Sequence, residues 1–166
     1  MTSANFAEIL PLLVKHGVQF IVIGGGAAIA HGWAATTYDV DVVYARDPKN
    51  LEHLVAALAP HQPYLRGAPP GLPFRWDEKT LQAGLNFTLT TSLGNLDILG
   101  EVTGGGTYEQ LLPFTEEMSV YDVSCRFVTL EKLIQLKRAA GRPKDMLAVG
   151  ELQAMLEERR KKENSS

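Results

Sequence analysis

Apolar residues fall into two rhythms along this chain, and each change of rhythm marks a change of element. Phe6, Ile9, Leu10, Leu13 and Val14 recur at three- and four-residue spacing, which predicts a helix over 4–16 that Gly17 stops. The stretch 18–23, apolar except for Gln19, reads as a buried strand, 27–31 as a short helix closed by Gly32, and 38–45 as a second strand. Pro48 at a first helical position, ahead of Leu51, Leu54, Val55 and Leu58, opens a helix that ends before Pro60. Five prolines and two glycines make 60–79 a surface excursion. A hairpin is expected from 86–91 and 95–99 across Ser92-Leu93-Gly94, followed by a flexible connection over 100–106. Two more strands, around 118–121 and 125–128, precede two helices between 130 and 160, the first over 130–140 and the second over 143–159, with a frayed tail at 161–166. No internal repeat is visible.

The polar positions that interrupt this pattern carry the chemistry. Asp39 and Asp41 alternate with Val40 and Val42, and in a strand positions i and i+2 share a face, so both carboxylates point the same way. Like charges that close repel, and a divalent metal is the most economical cation to place between them. Just upstream, Phe20-Ile21-Val22-Ile23 runs into Gly24-Gly25-Gly26. A strand that ends in glycines and opens a helix presents bare backbone N–H groups at a positive dipole end, which is a cradle for phosphate. If two metal ions are held, a third carboxylate is needed. Asp97, whose neighbours Leu96 and Ile98 face the other way, fits, and Glu101 is the fallback.

The helix over 130–140 has its own irregularity. Leu130, Leu133 and Ile134 define an inward stripe whose next member is Lys137, so that ammonium either snorkels to water or finds an anion. A triphosphate is one candidate, and Arg138, Arg142 and Lys144 add positive charge nearby. Asp145, in the first turn after Pro143, is explained by the helix dipole.

Bulk properties narrow the setting. A chain of 166 residues is about one domain long, and a net charge of −3 argues against an electrostatic nucleic-acid binder as a whole. No stretch suits a membrane span, and the single cysteine, Cys125, fits a small core hydrophobe in a reducing, cytoplasmic setting. Ile29 stands where a dinucleotide-binding glycine pattern needs its third Gly, no P-loop or nucleophile elbow is present, and His16, His31, His53 and His61 lack metal-ligand spacing. His31, beside the glycine turn, reads better as a helix-end residue than as a substrate contact.

The combination of an apolar strand, the glycine turn, Asp39-x-Asp41 and the later strand Asp97 resembles the nucleotidyltransferase superfamily that includes DNA polymerase β and the aminoglycoside nucleotidyltransferases. Leu133-Ile134-Gln135-Leu136-Lys137 followed by Arg142-Pro143-Lys144-Asp145 is similar to bacterial nucleotidyltransferase-like proteins related to toxins of type IV toxin–antitoxin systems. The resemblance implies a single α/β (α+β) domain of polymerase β-like fold, a mixed sheet flanked by helices. It implies Asp39, Asp41 and Asp97 as catalytic metal ligands, with Asp97 also a base for the acceptor hydroxyl. It assigns Gly24, Gly25, Gly26, Thr37, Lys137, Arg142 and Lys144 to the nucleotide. The implied cofactor is Mg2+, as two ions, with Mn2+ as a substitute. The implied reaction moves a nucleoside monophosphate from a triphosphate to a hydroxyl of tRNA, protein or a small molecule and releases pyrophosphate. Partners would be the triphosphate, the acceptor and an antitoxin or helical protein. Two positions depart from the family: Gly25 or Gly26 stands where Ser is frequent, and Ala34 and Ala35 stand where an arginine commonly precedes the Asp-x-Asp run. A nucleotide-binding module with little or no turnover is therefore the alternative reading.

Overall fold

Four consecutive apolar residues with no polar interruption can be buried on both faces only in the middle of a sheet, and β1 (Phe20–Ile23) is buried throughout. In the computed structural model, which describes residues 4–165, β1 lies between β2 (Asp39–Tyr44), antiparallel to it, and β9 (Val123–Val128), parallel to it. The full seven-stranded mixed sheet has the order β3-β4-β5-β2-β1-β9-β8, where β3 is Tyr64–Leu65, β4 Asn86–Thr91, β5 Gly94–Leu99 and β8 Thr115–Val120. A separate two-stranded ribbon, β6 (Glu101–Val102) with β7 (Gly106–Thr107), folds the stretch expected to be a flexible connection.

Helix α1 (Phe6–Lys15) buries Ile9, Leu10 and Leu13, the stripe visible in the sequence. α3 (Pro48–Leu58) starts at the expected proline, with the Asp47 side chain accepting from Asn50 N at its N-terminus. α6 (Leu130–Ala140) is capped by Thr129, which accepts from Lys132 N, and closes on Gly141 in a left-handed conformation, φ 68°. That turn folds α7 (Pro143–Asn164) back onto α6.

Several boundaries differ from expectation, each for a tertiary reason. α2 (Gly24–Ala30) begins at the first glycine and not at Ala27, because Gly24 takes φ 65° to turn directly out of β1. The 60–79 excursion is partly structured: β3 joins the sheet edge through Tyr64 and Leu65, and a short α4 (Glu78–Ala83) capped by Asp77 follows it. The penultimate strand is longer than 118–121 because pairing with β9 extends β8 back to Thr115. α5 (Tyr108–Leu111) carries a Thr107–Gln110 capping box that the sequence reading passed over. The tail expected to fray from 161 continues α7 as far as Asn164, and Ser166 lies outside the described residues.

Candidate functional site

Pairing across the sheet assembles the carboxylates. β2 and β5 run parallel with Asp41 beside Asp97 and Asp39 beside Asn95, so all four side chains share one face. On β1, Ile23 pairs with Asp41, which brings the glycine turn to the same place. A Cβ on Gly24 would fall 2.5 Å from Asp41 Oδ2, and one on Gly25 2.7 Å from Thr37 Cβ and Oγ1. The absence of side chains at both positions is what lets the start of α2 close on the aspartates. Thr37 packs under this turn, its hydroxyl 3.4 Å from Asp39 O.

The carboxylates form one electrostatic unit. Burial is the largest influence on Asp41 and pushes its pKa up, with the charge and hydrogen bond of Asp97 and the charge of Asp39 adding to it; Lys137 pulls the other way, and the result is about 8. Asn95 Nδ2 donates to Asp39 Oδ1 at 3.1 Å. Arg66, from the excursion past β3, donates from Nη2 to Asp97 Oδ1 at 2.7 Å and sets Nη1 3.7 Å from Asp39 Oδ1. The cation expected between the aspartates is thus supplied in part by the chain itself.

A cleft of about 270 Å3 holds these groups together with the cationic end of α6 and α7. It is lined by Gly24, Asp39, Asp41 and Asp97 on the sheet side and by Lys137, Arg142, Lys144 and Asp145 on the helix side. Its remaining wall is apolar, from Leu99, Val102, Leu133 and Leu136. Lys137 does not snorkel away: its side chain is 19% exposed and its Nζ lies 3.7 Å from Asp145 Oδ1. Asp145 is 1% exposed and accepts from Arg142 Nε at 2.6 Å and Nη2 at 3.2 Å. Burial acts to raise the Asp145 pKa, but the Arg142 hydrogen bond and charge, with Lys137, outweigh it and hold the carboxyl below its usual range. Its role extends beyond the helix dipole, since it ties Lys137 and Arg142 to the floor of the cleft.

Every residue assigned to the site from sequence meets at this cleft except Gly25, Gly26 and Thr37, which sit behind Gly24 as packing: Gly26 is buried against Phe6 and Val22. Arg138 turns away to Gln153 on α7, and Glu101 lines a different, shallow pocket. His31 is a helix-end residue, its Nε2 2.8 Å from Val128 O. Cys125 is buried, which pushes its thiol up to about 11 and leaves it inert. Sequence reasoning missed Arg66 and Asn95. Asn95 was reachable, two residues before Asp97 on the same strand face, whereas nothing local marks Arg66.

Three carboxylates of which one cannot easily ionise alone are a hard-oxygen donor set of the kind that suits Mg2+ or Mn2+. As they stand, no three His, Cys, Asp or Glu side chains among the described residues are in ligating geometry, and Arg66 engages the Oδ1 atoms of Asp39 and Asp97. The donors therefore fit a divalent cation in chemistry, with Arg66 as its competitor.

No protein-family model matches the chain, and no curated protein matches it at a significant level. Among solved structures, it has the nucleotidyltransferase-type fold of the lincosamide antibiotic adenylyltransferase LnuA, solved with lincomycin bound. The two superpose with a TM-score of 0.61 over 93% of this chain and 99% of that one, at 14% sequence identity. At that identity the likeness establishes the mixed α/β architecture. No helix among the described residues is long and apolar enough to cross a membrane.

Proposed function

We propose that this chain is a metal-dependent nucleotidyltransferase that transfers a nucleoside monophosphate from a triphosphate to an acceptor hydroxyl. The observation that carries the reading is the single cleft in which Asp39, Asp41 and Asp97 face Lys137 across the Gly24 turn, on a fold shared with an adenylyltransferase. Asp39, Asp41 and Asp97 would hold the Mg2+ ions, which when bound supply charge neutralisation for the attacking and leaving oxygens. The backbone N–H groups at the start of α2, with Lys137, Arg142 and Lys144, bind the triphosphate and hold its α-phosphorus in line with the acceptor. The acceptor oxygen forms the new P–O bond, its proton passes to Asp97, and the bond between the α-phosphorus and its bridging oxygen breaks to release pyrophosphate.

The acceptor enters on the Asp97 side of the cleft. Beyond Asp97 the same sheet face continues to its β4 partner Thr88, which is exposed. A small hydroxylated molecule suits this open polar shelf, and LnuA, an antibiotic adenylyltransferase, makes that class the first to try; tRNA, a protein side chain and an antitoxin-like partner are the others. The test is release of pyrophosphate from each of the four triphosphates with Mg2+, against a lincosamide, total tRNA and the protein itself. Release that depends on Asp39 and Asp41 is the expected result. Tight nucleotide binding without release under every acceptor would leave a binding module in place of an enzyme.

A further inference from the structure

Arg66 takes no part in the reaction proposed above, yet it makes the closest ion pair to the carboxylate trio. Its backbone N–H donates to Thr88 O at 2.9 Å, which fixes its Cα at the sheet edge just past β3. From there Nη2 donates to both Leu89 O and Asp97 Oδ1 at 2.7 Å, and Nη1 lies 3.7 Å from Asp39 Oδ1. Its Nε is buried with no hydrogen-bond partner among the described residues. An orphaned buried N–H is costly, so this pose is held by the two carboxylates and Leu89 O and not by full satisfaction of the guanidinium.

We infer that Arg66 is a resident counter-ion of the trio, exchanged for the divalent cation when nucleotide binds. The inference rests on the reading of Asp39, Asp41 and Asp97 as metal ligands. The Oδ1 atoms of Asp39 and Asp97 cannot serve the guanidinium and a metal ion together, because both cations need the same lone pairs and would repel at that distance. In the free protein Arg66 therefore suppresses metal binding. A triphosphate gives the displaced guanidinium a new anion, with the geometry for two parallel hydrogen bonds. Metal and nucleotide then reinforce each other's binding, and by linkage the effect is reciprocal.

The experiment measures Mn2+ binding to the full chain without nucleotide, by the electron paramagnetic resonance signal of free Mn2+, for wild type, Arg66→Gln and Arg66→Lys. Arg66→Gln is expected to bind Mn2+ about tenfold tighter than wild type, the effect of losing one charge-assisted contact, with Arg66→Lys between them. Addition of a non-hydrolysable triphosphate should tighten Mn2+ binding to wild type more than to Arg66→Gln. Circular dichroism melts check that each variant is folded. If Arg66→Gln does not fold, Arg66→Lys decides alone, since its ammonium cannot bridge two carboxylates as the planar guanidinium does. Wild-type affinity in a folded variant would overturn the exchange and leave the metal-site reading standing. No Mn2+ binding by wild type or either variant would overturn both.

Discussion

At the residue scale, the unusual feature is a carboxyl that the fold holds against its own ionisation. Asp41 is raised to about 8 from 3.8, first by burial and then by its acidic neighbours. The folded protein thus binds that proton more tightly than the unfolded chain, and without metal its stability should fall as pH rises between those two values. Asp41→Asn has no proton to lose. Thermal melts in chelator from pH 5 to 8 should show wild type losing stability as pH rises, with Asp41→Asn nearly flat and more stable than wild type at the upper end. Parallel curves for the two proteins would mean that Asp41 ionises in the folded protein as readily as in the unfolded chain.

At the element scale, α6 and α7 deliver cations to a cleft whose acids come from the sheet. The Thr129 cap and the Gly141 turn fix the ends of α6, and Asp145 ties Lys137 to Arg142 across the joint. Lys137 continues an apolar stripe, so its stem is buried while its charge is aimed into the cleft. Lys137→Met keeps the stem and removes the charge. Arg142 still pairs with Asp145 in the variant, so the helix joint should hold and the melting temperature should change little. Triphosphate affinity measured by calorimetry should drop roughly ten- to a hundredfold, the loss of one charge-assisted hydrogen bond. Unchanged affinity would reduce Lys137 to a partner of Asp145.

At the scale of the whole molecule, the cleft joins β1, β2, β5, α6 and α7, and a ligand there bridges the sheet to the C-terminal helices. Binding confined to the folded state should therefore stabilise the entire domain. With Mg2+ and triphosphate at a hundred times the dissociation constant, the expected gain is on the order of 2.7 kcal/mol. Asp39→Asn removes one proposed metal ligand from the outer side of the trio, where its side chain is 37% exposed, so the fold should survive while the gain disappears. Denaturant titrations of both proteins, with and without ligand, measure this directly. An equal gain in Asp39→Asn would place the nucleotide elsewhere.

The chemistry carried by short-range pattern was legible in the sequence. Alternation placed Asp39 and Asp41 on one face, the Leu130, Leu133 and Ile134 stripe placed Lys137, and Pro48 marked the start of α3, because each depends only on neighbours a turn or a strand step away. The register that puts Asp97 beside Asp41 was an expectation that only the β2–β5 pairing could decide. Tertiary structure alone brought Arg66 to the trio, from a segment whose composition reads as a loop, and the positions Ala34 and Ala35 left empty of an arginine gave no hint of it. It alone also turned Asp145 from a helix-dipole residue into the buried anchor of two cations. Periodicity reports which way a side chain points from its own element; which charges meet is set by how distant elements pack, and no local pattern records that.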